Sequence, residues 1–356
     1  MNMFDMIRLA SEKKASDVHV VADSHLMLRV KGAMEPVEEV PVLSAADIDT
    51  VLDEVINQEQ RHEFETTMEL DFGFDVPQVG RVRCNAARQR GTTTLVMRLL
   101  PSSLPSIEEL GLPPVCKDLI RRPRGMVVIS GPTGSGKSTT LSAMINFLNA
   151  TERRRIVTIE DPIEFVYKND KCIITQRELG GDTKTFASAL RHVLRQDPDV
   201  ILVGEMRDQE TASAALTIAE TGHLIITTGH APSASQAVER IIDLFPPDER
   251  GTVQSRVASL IIGILSQALV PTSDGKGRIA AIEVMLANSA VRSNIRDGKI
   301  YQLPNTMLTS ARQGMVLLDN ALIDLVKKGK ITRESALSFC NDQEEVTKQT
   351  GGGTLM

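Results

Sequence analysis

At 356 residues the chain is long enough for two domains, and its apolar and charged fractions are those of an ordinary globular protein. A net charge of −6 with no tryptophan argues against a nucleic-acid binder, which needs a basic stripe and stacking aromatics. The four cysteines, Cys84, Cys116, Cys172 and Cys340, form no Cys-x-x-Cys pair, which argues against a structural zinc module and for free thiols in a reducing cytosol.

Met1 leads into Asp5, Arg8, Glu12 and Lys13 with no signal-peptide apolar core. Met3 to Lys14 has a short helical pattern. Asp17–Val21 and Leu26–Val30 alternate like strands, with a turn at Lys31-Gly32. Ser44 is predicted to cap a helix running to about Asn57, with Ile48, Val51, Leu52 and Val55 apolar. Leu70, Phe72, Phe74 and Val76 then alternate with polar residues, and Gly80–Arg88 and Thr92–Leu99 read as two more strands. Residues 1–100 are therefore expected to be a small α+β domain. Its adjacent strands carry Arg81, Arg83, Arg88, Arg90 and Arg98. These either solvate a sheet face or reach a nucleotide held by another domain or subunit, and spacing leaves both open.

Pro101-Ser-Ser-Leu-Pro105 and Gly111-Leu-Pro-Pro114 make residues 101–114 a linker. Residues 115–288 alternate strands and helices, which predicts a mainly parallel, doubly wound sheet. The strand candidates are Met126–Ser130, Ile156–Glu160, Val200–Gly204, Leu224–Thr228 and Ile279–Met285. The apolar stretch Ala258 to Val270 is too short to span a bilayer and reads as a buried helix. Residues 289–340 are expected to be helical, and 341–356 a flexible tail.

The strongest motif is Gly131, Pro132, Thr133, Gly134, Ser135, Gly136, Lys137, Ser138 and Thr139, between an apolar strand and a helical pattern. It fits the phosphate-binding P-loop, whose backbone N–H groups and helix dipole hold phosphate oxygens. Lys137 is then expected on the β- and γ-phosphate oxygens of ATP and Ser138 on Mg²⁺. Ile156–Ile159 runs into three carboxylates, Glu160, Asp161 and Glu164, where ligands sit in open α/β sheets. Asp199–Gly204 runs into Glu205, a Walker-B-like placement for holding Mg²⁺ directly or through its water. His223 and His230 flank another strand, and His230, at its C-terminal end, is the better candidate for a γ-phosphate sensor.

These elements resemble the secretion-superfamily ATPases, most closely the type IV pilus retraction ATPases of the PilT type, over about residues 3–340. The resemblance rests on the P-loop, on Ile159–Glu164, on Arg195–Glu205 and on Ala219–His223. It implies a PAS-like α+β N-terminal domain, a RecA-like P-loop ATPase domain with a helical C-terminal region, and a homohexameric ring. It implies Glu164 as general base, Glu205 acting through Mg²⁺, a His223/His230 pair, and Arg83 and Arg98 reaching the γ-phosphate. It further implies an ATPase at the cytoplasmic face of the inner membrane, bound peripherally to a pilus platform protein, sometimes alongside a paralogous ATPase. An accessory ring subunit with weak turnover, or an assembly ATPase, is the alternative. Two departures stand out: Thr228-Gly-His-Ala-Pro232 replaces the usual Thr-Leu-His-Thr-Asn, and Ala290–Arg296 has Asn294 where the retraction motif is apolar.

Overall fold

The computed structural model describes residues 1–100 and 104–351. The chain divides into two compact units, Met1–Ser103 with Pro162–Val166, and Leu104–Asp161 with Tyr167–Met356. Part of the expected linker (101–103) and the end of the expected tail (352–356) lie outside the described residues.

In the first unit, α1 (Met3–Glu12) buries Met3, Met6, Ile7 and Ala10 at helical spacing. The elements that follow are β1 (Ala15–Val20), β2 (Met27–Val30), β3 (Ala33–Pro36), α2 (Ala45–Asp53), α3 (Gln58–Thr67), β4 (Glu69–Val76), β5 (Gly80–Gln89) and β6 (Thr92–Leu99). The strands make one antiparallel sheet in the order β3-β2-β1-β6-β5-β4. Alternate residues Val18, Val20, Val82, Cys84, Leu95 and Met97 share one core with the buried residues of α1 and α2. Ser44 caps α2 through a capping box with Asp47, but the helix stops at Asp53, short of Asn57. Asn57 instead caps α3, a helix with Phe64 as its buried residue and hence no apolar period to reveal it. β3 is exposed along its length and equally silent in the sequence.

The second unit runs α4 (Val115–Ile120), β7 (Gly125–Ser130), α5 (Lys137–Thr151), β8 (Arg155–Glu160), β9 (Ile173–Glu178), α6 (Phe186–Val193), β10 (Val200–Glu205), α7 (Gln209–Glu220), β11 (Leu224–Thr228), α8 (Ala234–Asp243), α9 (Arg250–Leu260), β12 (Ile261–Pro271) and β13 (Arg278–Leu286). The α-helices α10 (Ser289–Arg296), α11 (Leu303–Thr309), α12 (Leu318–Lys327), α13 (Arg333–Phe339) and α14 (Gln343–Thr350) follow. The sheet order is β13-β12-β7-β11-β10-β8-β9, parallel except for the β12–β13 hairpin. Helices cover both faces. Leu141, Met144, Ile145 and Leu148 of α5 share a core with Val127 and Ile129, while Leu190, Leu216 and Ile241 share one with Met126, Val128 and Ile201. No helix among the described residues is long and apolar enough to cross a membrane.

The buried helix expected over Ala258–Val270 is corrected. α9 ends at Leu260, and Ile261–Pro271 is strand β12, paired on both sides. A continuous apolar run carries no period that separates a buried strand from a buried helix. β9 was also hidden, because its Thr175, Gln176 and Arg177 interrupt any apolar pattern. Residues 343–350, expected within a flexible tail, form α14, capped by Asp342 and anchored by buried Val346.

Candidate functional site

The parallel strands β7, β11, β10 and β8 end together, so the segments that follow them share one edge of the sheet. That edge collects the P-loop after Ser130, Glu160, Glu205 and the loop carrying His230. All six residues of β7 are buried, which fixes the start of the P-loop. Gly131 has φ +140°, and a Cβ there would lie 2.3 Å from the Gln267 carbonyl oxygen and 2.7 Å from Ser135 Oγ. Only glycine fits that approach. Gly136, in the left-handed region, is the N-cap of α5 and supplies no side-chain cap. The first N–H groups of α5 therefore face outward from an uncapped helix N-terminus, the arrangement that binds anions.

Lys137 is 9% exposed, and its Nζ donates to the carbonyls of Gly131 at 2.8 Å and Pro132 at 3.1 Å. Ser135 Oγ is buried without a hydrogen-bond partner among the described residues. An orphan hydroxyl, a buried ammonium and an uncapped helix start suit a phosphate group. Two further contacts shape the loop from β12. Gln267 Nε2 donates to the Ser135 carbonyl at 2.6 Å, and Gln267 Oε1 accepts from Thr140 Oγ1 at 2.7 Å.

Glu205 ends β10, where the pairing with β11 shifts register between Val203 and Glu205. Gly204 permits the shift: a Cβ there would sit 3.3 Å from the Ile159 carbonyl oxygen and 3.4 Å from Glu160 Cα. Thr228 Oγ1 donates to the Gly204 carbonyl at 2.5 Å and closes the irregularity. The Glu205 carboxylate thus reaches the edge, with one oxygen on the Arg207 guanidinium and the other 3.2 Å from His230 Nε2. A cavity of about 280 Å³ opens beside this cluster, lined by Ser130, Glu205, Arg207, His230 and Arg240 among others.

Gly229 loosens the backbone of the His230 loop and Pro232 removes a donor from it, and the neighbouring strands hold the loop instead. The Gly229 N–H donates to the Ile129 carbonyl at 2.9 Å. Ser130 Oγ donates to the Ala231 carbonyl at 2.7 Å, and Ser266 Oγ to the Pro232 carbonyl at 2.8 Å. The Ala234 N–H donates to Glu283 Oε1 at 2.6 Å.

The other predicted site residues make contacts of their own. His223 precedes β11, at the opposite end of the strand from His230, with Nδ1 3.0 Å from Thr221 Oγ1. The structure does not bring the two histidines together. Glu160 is tied locally, accepting from Thr158 Oγ1 at 2.6 Å and Gln176 Nε2 at 3.1 Å. Glu164 is exposed and belongs to the Pro162–Val166 segment of the first unit. Arg83 and Arg98 are direct cross-strand partners on β5 and β6. Arg98 Nε donates to Asp17 Oδ1 at 2.7 Å. Burial pushes the Asp17 carboxyl up, but hydrogen bonds from Ser16 and Arg98 and the Arg98 charge outweigh it and hold the group below its ordinary range. Sequence reasoning missed Arg207, Ser266, Gln267 and Glu283. The available signal was the pair of polar residues interrupting the apolar run at 266–267.

The model of the family described as "Type II/IV secretion system protein" matches residues 3–334. The chain belongs to that family. It is 43% identical over 336 residues to the "Type IV pilus retractation ATPase PilT" of Pseudomonas aeruginosa, covering 94% of this chain and 97% of the relative. It is 42% identical over 346 residues to the "Twitching motility protein" of Neisseria gonorrhoeae, covering 97% and 92%. A crystal structure described as the pilus retraction motor PilT with bound ADP superposes with a TM-score of 0.91 at 40% identity, covering 98% of this chain and 99% of the other.

Proposed function

We propose that this protein is an ATP-hydrolysing motor that drives type IV pilus retraction, and with it twitching motility. The observation that carries the reading is one sheet edge holding a complete P-loop beside the Glu205–His230 pair, in a chain 43% identical along its length to a retraction ATPase. The first unit serves as a PAS-like domain and the second as a RecA-like ATPase domain, in a homohexamer.

The residues divide the work. The N–H groups of Gly134 to Lys137 and the Lys137 ammonium bind the β- and γ-phosphates of ATP. Ser138 and Glu205 supply hard oxygen donors that suit Mg²⁺, Glu205 directly or through a water. When bound, Mg²⁺ neutralises charge on the phosphate oxygens. Glu164 takes the proton of the attacking water, and His230 reads the γ-phosphate through its bond to Glu205. Arg83 and Arg98 offset the charge that develops in transfer, from a neighbouring subunit. The ring sits at the cytoplasmic face of the inner membrane against a platform protein, with a paralogous ATPase as co-worker and no nucleic-acid partner.

Two measurements test the reading. Purified protein should release phosphate from ATP, and Lys137→Ala, folded by circular dichroism, should not. Deleting the gene should leave pili in place and abolish twitching. Unchanged twitching, or turnover at the wild-type rate in the folded variant, refutes the assignment.

A further inference from the structure

Glu283 is a carboxylate in the middle of β13, only 4% exposed, and it touches none of the P-loop residues in its hydrogen bonding. Its two oxygens each accept one backbone N–H, and both donors are the first residue of a helix. Oε1 accepts from Ala234, which starts α8 directly after the His230 loop. Oε2 accepts from Leu318, which starts α12 in the C-terminal helical region, at 3.2 Å. A carboxylate between two helix starts satisfies two orphan donors and both positive dipole ends. Leu317, the N-cap of α12, offers no side-chain hydrogen bond of its own, so the Glu283 carboxylate stands in for a cap there. Burial, with the Asp319 charge, raises the group's pKa above its ordinary value, and the two amide bonds oppose that shift only in part.

The setting of Glu283 points the same way. It pairs across the hairpin with Ser266, whose hydroxyl holds the Pro232 carbonyl in the same loop. One face of the β12–β13 hairpin therefore grips residues 232–234 from two adjacent positions. The neighbouring residue Gln267 faces the other way and grips the P-loop through Ser135 and Thr140.

We infer that Glu283 is a positioning residue that locks the His230 loop to helix α12, so that the C-terminal helices set the geometry of the Glu205–His230 pair. The inference rests on the reading of His230 as a γ-phosphate sensor. Glu283 acts on turnover through the loop, while nucleotide is held by the P-loop on the hairpin's other face. Loss of the tether should consequently lower kcat and leave ATP affinity in place.

The test uses the full chain and two variants. Glu283→Gln keeps size and one acceptor but places an amide NH₂ against a backbone donor. Leu318→Pro keeps the carboxylate and removes the α12 donor together with a buried leucine side chain, so it is read against Leu318→Ala, which truncates the same side chain and keeps the donor; proline is tolerated at a first helical position, and Leu317 already has the extended backbone that precedes one. Hydrogen exchange of residues 229–238, KM, kcat and analogue binding are measured on each. In both variants the loop should exchange faster and kcat should fall about tenfold, roughly the weight of one charge-assisted hydrogen bond expressed in the barrier. Binding of a non-hydrolysable ATP analogue should stay within about twofold of wild type. Wild-type loop exchange or wild-type kcat in a folded variant overturns the inference. If Glu283→Gln fails to fold, Leu318→Pro decides by the same criteria. A wild-type protein without ATP turnover defeats the proposed function separately, and the exchange measurement still decides whether α12 holds the loop.

Discussion

Replacing Gln267 by methionine should weaken nucleotide binding without touching any residue of the P-loop motif. Methionine keeps the length and apolar stem of glutamine and loses both polar atoms. Two buried groups then lose their partners: the Thr140 hydroxyl, in a residue 1% exposed, and the Ser135 carbonyl. Stranding a buried polar group costs about 1–3 kcal/mol, so the pair amounts to about 2–4 kcal/mol once partial relaxation is allowed. Part of this, about 1–2.5 kcal/mol, appears as lost stability, about 2–10 °C in melting temperature for a unit of this size. Part appears as disorder of the loop, which nucleotide must then reverse on binding. If about 1.4 kcal/mol falls there, the ADP dissociation constant rises about tenfold. Titration of a fluorescent ADP analogue, with melting curves in its presence and absence, separates the two. Affinity within twofold of wild type in a folded Gln267→Met protein would refute the idea that β12 shapes the loop.

Glu164→Gln should lower phosphate release by about 10²–10⁴ while nucleotide still binds; an unchanged rate moves the role of base to another carboxylate. Arg83→Ala/Arg98→Ala protein and Lys137→Ala protein, each inactive alone, should recover partial activity when mixed under conditions that exchange subunits, and no recovery after confirmed exchange refutes action across subunits. Asp17, held below its ordinary range in the folded state, contributes stability that is present above the unfolded carboxyl value of about 4 and is lost as pH falls through its lower folded value. Melting temperature should therefore fall more steeply between pH 5 and 3 for wild type than for Asp17→Asn, and equal slopes would show that the Arg98 contact carries no such linkage.

The nucleotide side of the site was readable because it is written locally. The P-loop occupies consecutive residues, and its φ-positive glycines, its buried strand and its uncapped helix follow from that one stretch. Glu205 and His230 were readable as strand-end residues, since parallel strands in register bring their C-terminal ends together. What supports those residues was not readable. Gln267 lies 132 residues from Ser135, and Glu283 lies 49 residues from Ala234. Both sit in strands, one of which has the composition of a buried helix. No period or spacing marks a glutamine as a clamp; only the strand's face does, and the face depends on the pairing. α3 was missed for another reason: the structure shows Asn57 and Gln60 capping it, but the apolar stripe that marks a helix in a sequence is absent.

The division of labour on the β12–β13 hairpin also limits how this protein can drift. Side chains alternate along a strand, so deleting or inserting one residue between Gly263 and Ser266, where the pairing is regular, would exchange the faces of Ser266 and Gln267. Both loops would lose their hold in a single event, although no residue type had changed. The length of this arm is thus under tighter constraint than its composition. Past Pro271 the constraint lifts: Ser273–Gly277 forms the exposed turn of the hairpin, and changes of length there leave the pairing behind it in register.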